Sequence, residues 1–147
     1  MPDSKNHRHV TILMIEDDMG HARLIEKNIR RAGVCNEIVH VADGTSAMEK
    51  LSSGLAADEC PLLVLLDLNL PDMSGVTILE RLKADARLRR IPVIVLTTTD
   101  DAREIQRCYD LGANVYITKP VDYDQFATAI RQLGLFLSVM QVPEPNA

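Results

Sequence analysis

Carboxylate, hydroxyl and ammonium side chains recur in this chain directly after short apolar segments. Several carboxylates within a few ångström repel one another, so that one is protonated or a cation binds. Oxygen ligands in this number suit Mg²⁺, which also bridges to phosphate oxygens. A carboxylate can attack phosphorus and form an acyl phosphate, while an ammonium and a hydroxyl stabilise the phosphoryl oxygens. The residues are Glu16, Asp17 and Asp18 after segment 10–15, Asp67 after segment 62–66, Thr97 after segment 93–96, and Lys119 close behind segment 114–117.

The apolar segments have the length of β-strands, and segments with helical periodicity lie between them. The continuous run 62–66 is typical of a central strand covered on both faces, whereas the alternating run 37–41 is typical of a sheet edge. Strand and helix alternate five times, which predicts an α/β fold with a five-stranded parallel sheet and five helices. Ligands bind beyond the carboxyl ends of such strands, so we expect the polar residues to converge there.

Each helical segment carries an apolar stripe that should face the sheet. Gly33 and Gly112 are expected to follow the ends of two helices, and Asp100 or Asp101 is expected to cap the N-terminus of the helix that ends before Gly112. The last helix is expected to start near Asp122, and segment 52–61 is predicted to be a loop. The stripes are Leu24, Ile25, Asn28, Ile29 and Ala32; Ala47, Met48 and Leu51; Val76, Ile78, Leu79 and Leu82; Ile105, Cys108, Tyr109 and Leu111; and Phe126, Ile130, Leu133, Leu137 and Met140.

Length and composition indicate one soluble domain. The chain has 147 residues, 46% hydrophobic and 25% charged, with a net charge of −5 and no basic stripe that would favour nucleic acid. No apolar stretch approaches the roughly 20 residues of a membrane span. Three scattered cysteines predict reduced thiols and a cytoplasmic protein. We expect a flexible tail at 1–9, a domain at 10–142 and a flexible tail at 143–147.

Four motifs at matching places resemble the signatures of response-regulator receiver domains. They are Glu16-Asp17-Asp18, the segment Leu66–Gly75, Val95-Leu96-Thr97 and the segment Tyr116–Pro120. The resemblance extends from Val10 to the last helix. It implies the flavodoxin-like receiver fold with strand order 2-1-3-4-5. It also implies Mg²⁺-dependent transfer of a phosphoryl group from a sensor histidine kinase to the chain, which assists its own phosphorylation and dephosphorylation but is not otherwise an enzyme.

The resemblance also assigns roles to single residues. Asn69 would ligate Mg²⁺ through its backbone carbonyl, and Thr97 and Tyr116 would be switch residues. The Lys119–Pro120 peptide would be cis. Thr98 departs from the small residue of many relatives. Glu16 and Asp17 match the acid pair that holds Mg²⁺ in the family. Asp67 matches the phosphoacceptor, which is also a metal ligand, and Lys119 matches the lysine that pairs with phosphate.

Plainer interpretations apply to several of these residues. Asp18 is interpreted as a helix cap or a solvated acid rather than as a metal ligand. Asp72 and Ser74 are interpreted as a turn residue and an N-cap only. Two interpretations of Tyr116 stay open, because it could act as a switch or simply pack against the last helix.

The C-terminal segment is apolar on nearly all sides, which predicts a partner-binding surface or a homodimer, with folding back over the domain's own edge as the alternative. Nothing of domain size follows it, so the signal is expected to pass by protein–protein contact. Together with the loop before Pro61, the run Arg90–Pro92 and the Leu96-Thr97-Thr98 motif, this ending resembles small regulators paired with bacterial and cyanobacterial phytochromes. The apolar residues are Leu133, Leu135, Phe136, Leu137, Val139, Met140 and Val142.

Two rival functions stay open at this point. The segment Asp67-Leu68-Asn69 faintly resembles the haloacid dehalogenase motif, whose members hydrolyse phosphate esters through an aspartyl phosphate. That family has a second aspartate where this chain has Asn69, and it has a cap domain. The other rival is a receiver-like binding module that is never phosphorylated. Retention of the acids, Thr97 and Lys119 favours the phosphorylated switch.

Overall fold

The structure, a computed structural model, describes residues 10–54, 62–119 and 122–132. Its strands form one parallel sheet in the order β2-β1-β3-β4-β5. The predicted fold class and strand order are therefore confirmed, and the alternating second strand lies at an edge as expected. The strands are β1 (Thr11–Ile15), β2 (Ile38–Val41), β3 (Leu62–Leu66), β4 (Val93–Thr97) and β5 (Val115–Thr118).

Five α-helices accompany these strands in the described part of the chain. The second one continues into a π-helical turn at Lys50–Gly54, so residues 52–54 of the predicted loop at 52–61 are helical instead. Leu51, the last residue of the predicted apolar stripe, is completely buried, and the helical backbone continues three residues beyond it. Residues 55–61 lie outside the described residues. The helices are α1 (Met19–Arg31), α2 (Gly44–Glu49), α3 (Gly75–Ala84), α4 (Ala102–Leu111) and α5 (Tyr123–Gln132).

The helices cover the sheet in two layers, and the alternation of side chains along each strand divides the core between them. One cluster joins Leu13, Val64 and Val95 to residues of α2, α3 and α4. The other joins Met14 and Leu65 to residues of α1 and α5. All residues of β1, β3 and β4 are buried, which matches their continuous apolar sequences.

Helix ends follow the predicted signals, whereas two stripe residues do not. Asp101 is the N-cap of α4, and Gly33 and Gly112 follow helix ends with positive φ angles of 87° and 110°. Leu24 and Tyr109 were expected to be in the core, but each is 44% exposed. Their helices bury a narrower stripe than predicted, because each packs on the sheet along one side only.

Several predictions lie outside the described residues: the apolar segment 133–142, the tails at 1–9 and 143–147, and the cis peptide before Pro120. Among the cysteines, Cys35 and Cys108 are free thiols, exposed and buried respectively. No helix of the described ranges is long and apolar enough to cross a membrane.

Candidate functional site

Strand register brings the two buried acids of the site together. Glu16 and Asp67 each follow the last residue of a strand, and Ile15 pairs with Leu66 across β1 and β3. The Asp67 N–H donates to the Ile15 carbonyl at 3.0 Å, which continues the sheet by one residue. Both acids are buried, at 1% and 4% exposure, at the carboxyl end of the sheet. The predicted convergence therefore occurs where parallel sheets bind ligands.

Asp17 completes an acidic cluster with these two residues. Carboxylate oxygens of Glu16, Asp17 and Asp67 lie within 4.8 Å of one another. Asp17 is exposed, whereas the other two acids are buried, so the cluster is open to solvent on one side. Three hard oxygen donors at this separation suit a small divalent cation that keeps some of its waters.

Lys119 provides the positive charge that offsets these acids in the described structure. Its Nζ donates to Glu16 Oε1 at 2.5 Å and to Asp67 Oδ2 at 3.1 Å. The lysine side chain is 6% exposed, so both ion pairs lie away from water. The backbone N–H of Lys119 donates to the Thr97 carbonyl at 2.7 Å, which fixes the start of the lysine side chain beyond β4.

The pKa of Glu16 is raised from its ordinary value, chiefly because burial removes the carboxylate from water. Hydrogen bonds from Lys119 Nζ and from the Asp18 N–H, the latter at 3.1 Å to Oε2, oppose this effect. The nearby Asp67 carboxylate adds to the increase by repulsion. A second cation at this cluster would therefore be electrostatically favourable.

The loop after β3 shapes the surroundings of Asp67. The Asn69 N–H donates to Asp67 Oδ1 at 3.1 Å, and Asn69 Nδ2 donates to Thr97 Oγ1 at 3.3 Å. The Gly75 N–H donates to the Leu68 carbonyl at 2.8 Å. A Cβ atom on Gly75 would overlap the Asp67 carbonyl oxygen and Leu68 Cα. The glycine thus lets α3 approach the Asp67 backbone closely.

Thr97 and Tyr116 lie on the two strands beyond Asp67. Thr97 is fully buried. Tyr116 is half-buried, and its hydroxyl donates to the Thr99 carbonyl at 2.9 Å. Burial, together with nearby acids, raises the pKa of Tyr116. The ring packs on the core cluster beneath α2, α3 and α4. Within the described residues Tyr116 lies on the face opposite to α5, because it pairs with Val95, which faces away from that helix.

Asp18 and Ser74 are helix caps, as predicted. Asp18 Oδ1 accepts from the His21 N–H at 3.0 Å, and Ser74 Oγ accepts from the Val76 N–H at 3.1 Å. The first of these hydrogen bonds lowers the pKa of Asp18. Asp18 does not belong to the acidic cluster of Glu16, Asp17 and Asp67.

Asp72 is more than the turn residue that the sequence indicated. Its carboxylate accepts from the Gly44 N–H at 2.8 Å, from the Thr45 N–H at 2.9 Å and from Thr45 Oγ1 at 2.7 Å. These hydrogen bonds, that from the Thr45 hydroxyl first, lower the pKa of Asp72 to about 2. Asp72 therefore attaches the loop after β3 to the start of α2, 27 and 28 residues away in sequence.

His21 is a site residue that the sequence interpretation missed. Its Nδ1 lies 3.2 Å from Lys119 Nζ and 3.8 Å from Glu16 Oε2. The available signal was its place in the first turn of α1, which starts directly after the acidic triplet. A histidine there points toward the carboxyl end of the sheet, where Lys119 also lies.

The chain matches the model of the response regulator receiver domain over residues 12–131. The curated protein response regulator Rcp1 of Synechocystis is 36% identical over 121 residues, which cover 81% of this chain and 82% of Rcp1. The solved Mn²⁺-bound form of Rcp1 superposes with a TM-score of 0.71 at 30% identity, covering 93% of this chain and 99% of that chain.

Two further solved structures are similar along nearly the whole chain. A receiver domain from Rhodospirillum rubrum is 68% identical with a TM-score of 0.74, covering 94% of this chain and 100% of that chain. The phosphorylated cyanobacterial phytochrome response regulator RcpA is 36% identical with a TM-score of 0.71, covering 92% and 99%. Phytochrome-associated regulators are thus among the structural neighbours. With its fold, its acidic cluster and these matches, the chain belongs to the family of response-regulator receiver domains.

Proposed function

We propose that this response regulator accepts a phosphoryl group on Asp67 from a phosphohistidine of a sensor histidine kinase, in a reaction that requires Mg²⁺. The observation that carries the proposal is the position of Asp67, buried beside two further acids with Lys119 Nζ 3.1 Å from its carboxylate. An aspartate that merely ended a strand would need neither a buried lysine nor an acidic cluster around it.

The residues of the site fit a divalent cation. Glu16, Asp17 and Asp67 supply three carboxylates, and the backbone carbonyl of Asn69 would add a neutral oxygen. When bound, Mg²⁺ would supply positive charge for the phosphoryl oxygens. The Mn²⁺-bound structure of the relative Rcp1 supports a divalent ion in this family. The burial of Glu16 and Asp67 is consistent with a cation, because the two carboxylates share the single ammonium of Lys119.

The transfer step follows from the contacts of Asp67. A carboxylate oxygen of Asp67 forms a bond to phosphorus while the P–N bond to the kinase imidazole breaks, and the imidazole nitrogen keeps the electron pair and takes up a proton. Lys119 Nζ moves from Asp67 Oδ2 to a phosphoryl oxygen and offsets its charge. Thr97 Oγ1 accepts a hydrogen bond from Asn69, so its own proton can be donated to another phosphoryl oxygen.

Phosphorylation would be read out through the strands beyond Asp67. Once Thr97 turns its hydroxyl to the phosphoryl group, its contact with Asn69 Nδ2 changes. The conformation of the loop that follows β4 would change as a consequence. Tyr116 is bonded to that loop through the Thr99 carbonyl. We therefore propose Thr97 and Tyr116 as the switch residues and protein–protein contact as the means of signalling.

The proposed kinase class includes bacterial phytochromes, since RcpA is described as a phytochrome response regulator and resembles this chain over 92% of its length. A cytoplasmic location accords with such a partner. A homodimer through the apolar segment 133–142 remains part of the proposal and can be measured by light scattering, with and without beryllofluoride.

The rival functions are less consistent with the site. A haloacid dehalogenase-type hydrolase uses an acid two residues after the nucleophile, whereas Asn69 occupies that position and donates hydrogen bonds to Asp67 and Thr97. A binding module that is never phosphorylated has no need for the buried ion pairs of Lys119 with Glu16 and Asp67.

Phosphotransfer from radiolabelled, autophosphorylated sensor kinases, phytochrome kinases among them, tests the proposal. The wild type should take up label in Mg²⁺ and lose that ability in EDTA, and Asp67→Asn should take up none. Asp72→Asn is the matched control, because it makes the same chemical change on a surface acid five positions away in the same loop, and it should retain transfer. Labelling of Asp67→Asn would overturn the choice of acceptor. Catalytic turnover of a small phosphate ester would favour the hydrolase.

A further inference from the structure

The imidazole of His21 stands beside the Lys119 ammonium at the solvent side of the site. His21 Nδ1 is 3.2 Å from Lys119 Nζ, within hydrogen-bonding distance, and 3.8 Å from Glu16 Oε2. The histidine side chain is 45% exposed, whereas that of Lys119 is 6% exposed. Asp18 caps α1 by accepting the His21 N–H, so the backbone holds the imidazole at this point.

The three N–H donors of the Lys119 ammonium match the three polar atoms that surround it. An ammonium has three donors and no acceptor, and Lys119 Nζ has three neighbours within 3.2 Å: Glu16 Oε1, Asp67 Oδ2 and His21 Nδ1. Glu16 and Asp67 are the proposed metal ligands, and Asp67 is also the proposed phosphoacceptor. His21 is the one neighbour of the three with no assigned part in binding metal or phosphoryl group.

We propose that His21 is a positioning residue that holds the Lys119 ammonium over Asp67 when the two carboxylates bind the metal and the phosphoryl group. This inference rests on the proposed function. The Nδ1 lone pair accepts from Lys119 Nζ, which requires the tautomer protonated on Nε2. The ammonium then keeps one fixed acceptor while its contact with Asp67 passes to a phosphoryl oxygen. Without that acceptor, Lys119 would be held by Glu16 alone and would fit the phosphoryl oxygens less well.

Binding of beryllofluoride in saturating Mg²⁺, followed by NMR of backbone amides, tests the proposal on the full chain. His21→Ala removes the acceptor, and His21→Asn restores one, since its side-chain oxygen lies about as far from the backbone as Nδ1. Neither variant can be positively charged, so their difference reports the acceptor rather than charge. Leu24→Ala is the matched control, because Leu24 is an exposed, uncharged residue of the same helix.

We expect His21→Ala to weaken beryllofluoride binding roughly three- to tenfold, as befits the loss of one partly exposed hydrogen bond to a charged group. His21→Asn should recover most of the affinity, and Leu24→Ala should match the wild type. The Mg²⁺ affinity measured without beryllofluoride should be unchanged in all of them. The Nζ signal of Lys119 should shift in His21→Ala even before any ligand is added.

Other outcomes would overturn the inference. Wild-type affinity in His21→Ala would show that the acceptor is not needed, and equal weakening in His21→Asn would show that the ring acts by its bulk. A parallel loss of Mg²⁺ affinity would mean that His21 acts through Glu16. A wild type that does not bind beryllofluoride would count against the proposed function itself, whereas a binding wild type with unaffected variants would count against His21 alone.

Discussion

Glu16 and Asp72 are carboxylates near the same loop, and their surroundings shift their pKa values in opposite directions. Glu16 is buried and shares Lys119 with Asp67, and burial raises its pKa. Asp72 is exposed and accepts hydrogen bonds from Gly44 and Thr45, which lower its pKa to about 2. Hydrogen-bond donors already stabilise the charge of Asp72, so its role is to join two segments. The charge of Glu16 is incompletely offset, so a cation has most to gain there.

The largest effect is expected for Lys119→Met in metal-free buffer, which tests whether the charges of the buried acids depend on a counter-charge. Removing the ammonium leaves Glu16 and Asp67 buried without their counter-charge, which should lower the free energy of unfolding by about 3 kcal/mol in urea denaturation. Adding Mg²⁺ should stabilise this variant more than the wild type, because the cation would take the place of the ammonium between the carboxylates.

Glu16→Gln in the Lys119→Met background serves as the control for that measurement. It removes one of the two unpaired charges and should recover part of the lost stability. Wild-type stability in Lys119→Met would contradict the view that the lysine offsets the acidic cluster in the absence of metal.

A second test compares the two acids directly in Mg²⁺ binding. Glu16→Gln should weaken Mg²⁺ binding by about tenfold or more in calorimetry, because the ligand loses its charge where water screens it least. Asp72→Asn makes the equivalent change on the surface and should leave the affinity unchanged. Equal losses in both variants would mean that overall charge, rather than the buried cluster, attracts the ion.

A third test uses pH, because the stability that depends on each of the two acids should change with pH in opposite directions. The folded-state pKa of Glu16 lies above its ordinary value of 4.5, so the folded state binds more protons, and stability falls as pH rises from 4.5 through that raised pKa. Glu16→Gln should flatten this fall in metal-free urea denaturation. The pKa of Asp72 lies at about 2, below its ordinary 3.8.

Asp72 therefore contributes stability above pH 3.8 that is lost as pH falls toward 2. Asp72→Asn should make acid unfolding less steep in that range. If Glu16→Gln and Asp72→Asn changed the pH dependence of the free energy of unfolding in the same direction, the proposed difference between the buried acid and the hydrogen-bonded acid would be wrong.

The sheet and the meeting of the acids could be predicted because they follow from strand ends alone. Continuous apolar runs indicated central strands, and any residue after such a run lies at the carboxyl end of a parallel sheet. That reasoning placed Glu16, Asp67 and Lys119 together, and the structure confirms it. The roles of these residues stay predictions until phosphotransfer is measured.

Contacts made by side chains across the fold were beyond sequence reasoning. The hydrogen bonds of Asp72 to the start of α2 depend on where a helix distant in sequence begins. The approach of His21 to Lys119 joins residues 98 positions apart. Leu24 and Tyr109 were wrongly predicted to face the sheet. Periodicity shows which side of a helix is apolar, but it does not show how wide a strip of that side the sheet buries.

The smallest expected effect concerns the surface contact alone. Thr45→Val removes the hydroxyl that makes the largest contribution to the low pKa of Asp72, while the Gly44 and Thr45 N–H groups still donate. The pKa of Asp72, followed by NMR of its carboxyl carbon, should rise from about 2 toward its ordinary value. Mg²⁺ and beryllofluoride binding should not change, because this hydrogen bond holds α2 and touches none of the acids around Asp67. A loss of beryllofluoride affinity in Thr45→Val would instead mean that the loop after Asp67 transmits strain from α2 into the site, and the two regions would then have to be treated as one.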